Sequence, residues 1–272
     1  MTRGHLRIRG WLLLLLLVGL GLLPGRGYTA TWQEKKSTHF QVFYVTDAAF
    51  ASLVIQRAEQ YYDRLVIDLG FRHVVKRDRV PWLWENRCQI YLYPDRLAYL
   101  QGTGAPQWSA GFVNYRQRKV YSFNGAHTFL DTTLPHELTH ILFREYVGFE
   151  NPLVPRWLDE GIAEYSEAGA VEQALERMQS WLKQGVYIPM NQLMPLRVGH
   201  AQRVSARVFY TQAVTLVEFF LSAYGSRRFI DLCSSLRDGY DLERALSFAT
   251  AGSLQSVADL EAAWAAFLLS LP

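Results

Sequence analysis

Cysteine is scarce in this chain: Cys88 and Cys233 are the only two among 272 residues. Two thiols cannot build a disulfide framework. Cys88 lies in a strand-like run and Cys233 in a helix-like one, which favours two buried free thiols over a bridge. Long apolar runs are missing too. The longest, Trp11 to Leu23, has 13 residues, short of the roughly 20 that span a bilayer as a helix. Nor is there an excess of one charge, because 28 Lys and Arg stand against 25 Asp and Glu for a net +3. Six of those cations (Arg3, Arg7, Arg9, Arg26, Lys35 and Lys36) crowd the N-terminus, so the remainder is not a nucleic-acid binder by charge. Internal repeats, low-complexity tracts and an obvious linker are also absent.

What is present is ample apolar material. Half of the residues are hydrophobic and 14% are aromatic, enough to bury a sizeable core and to exclude disorder as the general state. The first residues follow a targeting pattern: basic positions, the short apolar run, then Pro24-Gly25-Arg26-Gly27. Residues 1–27 are therefore expected to be a signal peptide, cut after Gly27, or an uncleaved N-terminal anchor. No Cys follows the run, which argues against lipid modification. Residues 28–272 are expected to form one exported domain: periplasmic, secreted, or membrane-anchored facing outside the cytoplasm.

Periodicity divides that domain. His39 to Val45 and Gln89 to Tyr93 alternate like strands, and Ala49 to Leu69 carries apolar residues at helical spacing up to Gly70. Ala110 to Asn114 and Lys119 to Phe123 read as a hairpin around Tyr115-Arg116-Gln117-Arg118. After Asp131 the pattern is helical, with runs from about Pro155 to Ala168 and from Val171 to Lys183, then from Ser205 with breaks at Gly225, Gly239 and Gly252. A strand-rich part over about 37–125 followed by a helical part over about 129–270 predicts an α+β fold, a small mixed sheet with one packed helix and then helices.

The chemistry concentrates at His136-Glu137-Leu138-Thr139-His140. Asp131, Thr132 or Thr133 is a suitable cap for a helix there, and Pro135 suits its first turn. On that helix His136 and His140 share a face and can hold one Zn²⁺ through two imidazoles. Glu137 lies beside that face, placed to take a proton from a metal-bound water. Glu160 follows His140 after nineteen residues, room for one helix to end and another to return. As third ligand it completes a His₂Glu site with an open position. Glu164, one turn further on, is expected to accept a ring N–H from His136 or His140. Asp159 is the alternative, although it projects about 100° from Glu160. His39, His73, His127 and His200 have no partner at ligand spacing.

These two segments resemble the gluzincin metallopeptidases, specifically the peptidase MA-like group related to the aminopeptidases that carry Trp-Leu-Asn-Glu-Gly-Phe-Ala after the metal helix. Here that stretch is Trp157-Leu158-Asp159-Glu160-Gly161-Ile162-Ala163, and the nineteen-residue spacing is that of thermolysin-like enzymes. Phe143 and Tyr146 stand where a metzincin needs Gly and a third His. The resemblance implies a zincin-like fold with one Zn²⁺ per chain, the active site at the junction of sheet and helices, and a peptide or protein substrate. Tyr210-Thr211-Gln212-Ala213 is similar to the Tyr-x-Lys-Gly segment of those aminopeptidases, which implies that Tyr210 hydrogen-bonds the oxyanion. Gln212 and Ala213 depart from that segment.

No Gly-x-Met-Glu-Asn exopeptidase segment precedes the metal helix. Trp108 to Asn114 stands there instead, and Gly111, Phe112 and Val113 could be an edge strand that pairs with a peptide backbone. Without an acid to grip a free amino terminus, an endopeptidase is favoured over an aminopeptidase. Two alternatives stay open: a binding or scaffolding protein that retains zinc, and a partner-dependent peptidase with little activity alone.

Overall fold

The computed structural model describes residues 31–70, 83–107, 109–126, 128–196 and 206–272. Residues 1–27, expected to be a signal peptide or anchor, and Trp82, Trp108, His73, His127 and His200 lie outside the described residues.

A five-stranded sheet forms one side, in the order β1-β2-β3-β5-β4. Its strands are β1 (Gln33–Lys36), β2 (Phe40–Tyr44), β3 (Cys88–Tyr93), β4 (Phe112–Asn114) and β5 (Lys119–Phe123). β2, β3 and β5 run parallel, while β1 and β4 are antiparallel at the two edges. Parallel neighbours need crossovers, supplied by α1 (Ala48–Asp68) after β2 and by α2 (Arg96–Thr103) after β3. Alternation fixes the core face: Phe40, Val42, Ile90, Leu92 and Val120 are fully buried. Asp47 caps α1 and Asp95 caps α2, each accepting a main-chain N–H three residues on at 2.8 Å, as an extended Asp before a helix does.

The remainder is helical: α3 (Leu134–Val147), α4 (Arg156–Tyr165), α5 (Ala170–Lys183), the short α6 (Met190–Leu193), α7 (Ala206–Arg237), α8 (Leu242–Ala249) and α9 (Val257–Ser270). The mixed sheet with its helix, the helical second half and the junction between them are as the sequence predicts. β1 and α2 are additions, short elements whose weak periodicity gives no signal. Cys88 and Cys233 are buried free thiols.

The start of α3 differs from expectation. No side chain caps it: Thr133 is already helical (φ −64°, ψ −44°), and a π-turn over Phe129–Thr133 leads straight in. Such turns recur at functional sites. Pro135 does sit in the first turn. The buried Thr133 hydroxyl has no partner among the described residues, because the chain before it bonds as helix. Gly148 (φ 100°) ends α3.

α3 lies between the sheet layer and α4, and α4 packs on α7 with little space between the backbones. A Cβ on Gly161 would stand 2.5 Å from the Ala213 carbonyl oxygen; only glycine allows that approach. α7 bends at Gly225 (φ 78°), so one long helical run serves two directions.

Candidate metal centre

His136, Glu137 and His140 are buried on α3, and Asp159 and Glu160 are buried on α4. The two imidazole Nε2 atoms are 3.1 Å apart. Glu160 Oε2 is 3.9 Å from the first and 3.7 Å from the second. Among the described residues these three could hold a metal ion.

The far nitrogens explain the near ones. His136 Nδ1 meets Glu167 Oε1 at 2.9 Å, and His140 Nδ1 meets Asp159 Oδ1 at 3.0 Å. A carboxylate acceptor keeps the ring hydrogen on Nδ1, which leaves each Nε2 of the neutral ring presenting a lone pair. Two lone pairs and a carboxylate oxygen then converge in a buried pocket, where Glu160 Oε2 has no hydrogen-bond partner among the described residues. Such an arrangement is costly without a cation. Tetrahedral zinc with bonds of about 2.0–2.1 Å separates its ligand atoms by about 3.3 Å, close to the spacings seen. The donor set therefore fits a divalent metal of the zinc type.

Charge follows the same geometry. In zinc-free protein burial pulls the His136 imidazole down, but the Glu167 hydrogen bond and charge win and push it up to about 10, so a metal that takes the Nε2 lone pair must displace a proton there. The same competition raises His140, with Asp159 as the winning partner. Burial would lift Asp159, yet His140 and Arg144 hold it down at about 2; Arg144 Nη2 donates to its Oδ2 at 2.7 Å. Glu137 is raised by burial against the pull of both histidines. Its Oε2 accepts from the Tyr115 hydroxyl at 3.2 Å, while its buried Oε1 has no partner among the described residues.

The ring partners differ from the sequence expectation. Glu164 is raised to about 7 by burial and by the neighbouring Glu167 charge, and no hydrogen bond joins it to either ring among those described. Glu167 takes that place for His136 because α4 ends at Tyr165. The chain turns there and swings Glu167 back over α3. Asp159 takes it for His140 because its angle from Glu160 lets two neighbours reach opposite nitrogens of one ring.

Tyr210 stands near the start of α7. Burial and then the Glu160 charge push its phenol well above the ordinary range, against the hydrogen-bonded Arg156. The phenol is thus protonated and able to donate. Arg156 Nη2 also lies 3.4 Å from Glu160 Oε1, leaving Oε2 to face the histidines. Gln212, at the departure from the aminopeptidase segment, is buried and clamps Ile188 through its N–H and its carbonyl, both at 2.8 Å.

Gly111, Phe112 and Val113 lead into and form β4, an edge of the sheet. A Cβ on Gly111 would be 2.7 Å from Thr133 Cγ2, so this edge abuts the entry to the metal helix. Tyr115, Arg144, Arg156 and Glu167 are the participants that sequence reading missed. Arg144 is four residues from His140 and Arg156 four from Glu160, spacings that could have exposed both. Tyr115 is hidden in a turn, and Glu167 lies past a helix end.

Comparison with known families gives a match to the Peptidase MA superfamily over residues 84–270. The matched part begins just before β3 and contains every residue of the cluster. No curated protein matches the chain.

Proposed function

Because the chain belongs to the Peptidase MA superfamily of metallopeptidases, we propose that it is an exported zinc endopeptidase with His136, His140 and Glu160 as ligands. The observation that carries this reading is the convergence of two imidazole Nε2 atoms and the unpartnered Glu160 Oε2. A Zn²⁺ held there supplies a Lewis acid that lowers the pKa of a water towards about 7.

The chain's own residues do the rest. Glu137, raised by burial and with Oε1 free of any described partner, takes the proton of the attacking water and hands it to the departing amine. Tyr210, protonated and close to Glu160 in charge terms, donates to the oxyanion as it develops. Asp159 and Glu167 hold the two imidazoles in their donor orientation. β4, with a free edge in the described sheet, pairs with the main chain of a bound peptide, and Gly111 keeps that edge against the metal helix. A role as zinc-retaining scaffold would give no use to Glu137.

The preference for internal bonds rests on the missing amine-gripping segment, and export rests on the pattern of residues 1–27. Incubation with a mixed peptide library tests the first. New termini inside the peptides, insensitive to N-terminal acetylation, are expected; release of single N-terminal residues, abolished by acetylation, would instead make the protein an aminopeptidase.

A further inference from the structure

Glu137 has three rotatable side-chain bonds and is fully buried, so something must select one of its rotamers if it is to meet a water in a fixed direction. We infer that Tyr115 is the positioning residue of Glu137: its hydroxyl fixes Oε2 and so aims Oε1 at the reacting water. The inference rests on the reading of Glu137 as general base.

Three features of the hairpin support it. The Tyr115 hydroxyl donates to Glu137 Oε2 at 3.2 Å while Oε1 has no described partner, an asymmetry that distinguishes the two oxygens. The ring of Tyr115 stands edge-on to His140, with centroids 5.6 Å apart and an angle of 77°, so the phenol is braced against a metal-site imidazole. The turn that carries it is anchored on both sides. Asn114 Oδ1 accepts from Gln117 N at 3.1 Å, and Arg118 pairs with Glu145 further along α3 and donates to the Asn86 carbonyl at 2.9 Å. The Arg118–Glu145 pair thus ties the Tyr115 turn to α3.

The phenol is not well placed to be the oxyanion donor, since its hydrogen is engaged by Glu137. Tyr210, on the α7 side with Arg156 and Glu160, is the phenol left for that task. Tyr115 also follows directly on β4. The strand offered to the substrate backbone and the residue that orients the base are thus consecutive in one short segment. A peptide seated on β4 is positioned relative to Glu137 by the shortest possible connection.

The test uses the zinc-loaded full chain and Tyr115→Phe, which removes one hydroxyl and keeps the ring against His140. Expected are a fall in kcat of about tenfold to a hundredfold, a KM within about twofold of the parent, and unchanged zinc content. In parallel, the protein is labelled with ¹³C at glutamate Cδ, and the Glu137 resonance is assigned by its loss in Glu137→Gln. That resonance should move in Tyr115→Phe and stay in place in Tyr210→Phe. An unmoved Glu137 resonance, or an unchanged kcat, overturns the positioning role. A parent protein that cleaves no peptide would sink the peptidase reading itself, and the resonance alone would then decide the Tyr115 contact.

Discussion

Asp159 and Glu160 show how much one peptide bond can do. They are neighbours on α4, yet one carboxylate reaches His140 Nδ1 and the other approaches its Nε2. The 100° between successive helical side chains, which on paper argues against Asp159, is what lets the pair grip opposite sides of one ring. His136 receives the same treatment from Glu167. Such partners fix ring orientation and raise ligand basicity, and their loss costs about 10–100-fold in metal affinity. Asp159→Asn and Glu167→Gln are each expected to weaken zinc binding by that factor in competition with a chromophoric chelator. Affinities equal to the parent would mean that these contacts do not orient the ligands. At this scale the ligand atoms were legible, because helical spacing and donor type suffice to choose them. Their supporting partners were not: Glu167 depends on where α4 stops, and Tyr115 on how a turn folds over α3.

Elements carry the site through close packing. α4 approaches α7 so nearly that a Cβ at Gly161 would meet the Ala213 carbonyl oxygen at 2.5 Å and carbon at 2.8 Å. Backbone cannot retreat as a flexible side chain can, so Gly161→Ala should destabilise by about 1–3 kcal/mol as an overpacked contact. Denaturant unfolding measures it, and an unchanged midpoint would show that the helices yield. The segment containing Gly161 was readable from its residues; the reason for the glycine became clear only with α7 beside it. Helix bodies were readable as well, since apolar periodicity persists over many residues in α1 and α5, and α7 shows as long apolar stretches broken at Gly225. Helix ends were not. The π-turn into α3 replaces the expected Asp or Thr cap, because continuous helical bonding there removes the open N–H groups that a cap would serve.

For the whole molecule, the sheet gives an edge, α3 lies beside it, and α4 and α7 close the other side. The order of strands before helices was enough to foresee that plan, whereas strand order and the extra edge strand β1 depend on pairings that a sequence does not display. The buried ion cluster also makes the fold sensitive to acid. Asp159 is held at about 2 by His140 and Arg144 despite its burial, below the roughly 3.9 of an unfolded aspartate. A depressed carboxylate contributes stability that is present above its unfolded value and lost as pH falls through the folded one. In zinc-free protein, the stability difference between parent and Asp159→Asn should be largest near about pH 5–6. It should shrink from about pH 4 towards pH 2 as Asp159 takes a proton, and shrink again above about pH 6.5 as His140, raised by Asp159, gives its proton up. A difference that stays constant over that acid range would show that the Asp159 charge is not what stabilises the pair.

The most direct measurement of the central claim is made on Glu137→Gln and its parent together: zinc content and cleavage of one peptide library, on the same samples. Gln keeps the shape of the side chain and leaves His136, His140 and Glu160 untouched, but it cannot accept the proton of the attacking water. The expected result is one zinc per chain in both proteins, with cleavage reduced by about 10²–10⁴-fold in the variant. Full zinc with undiminished cleavage would contradict the claim and move the chemistry away from Glu137.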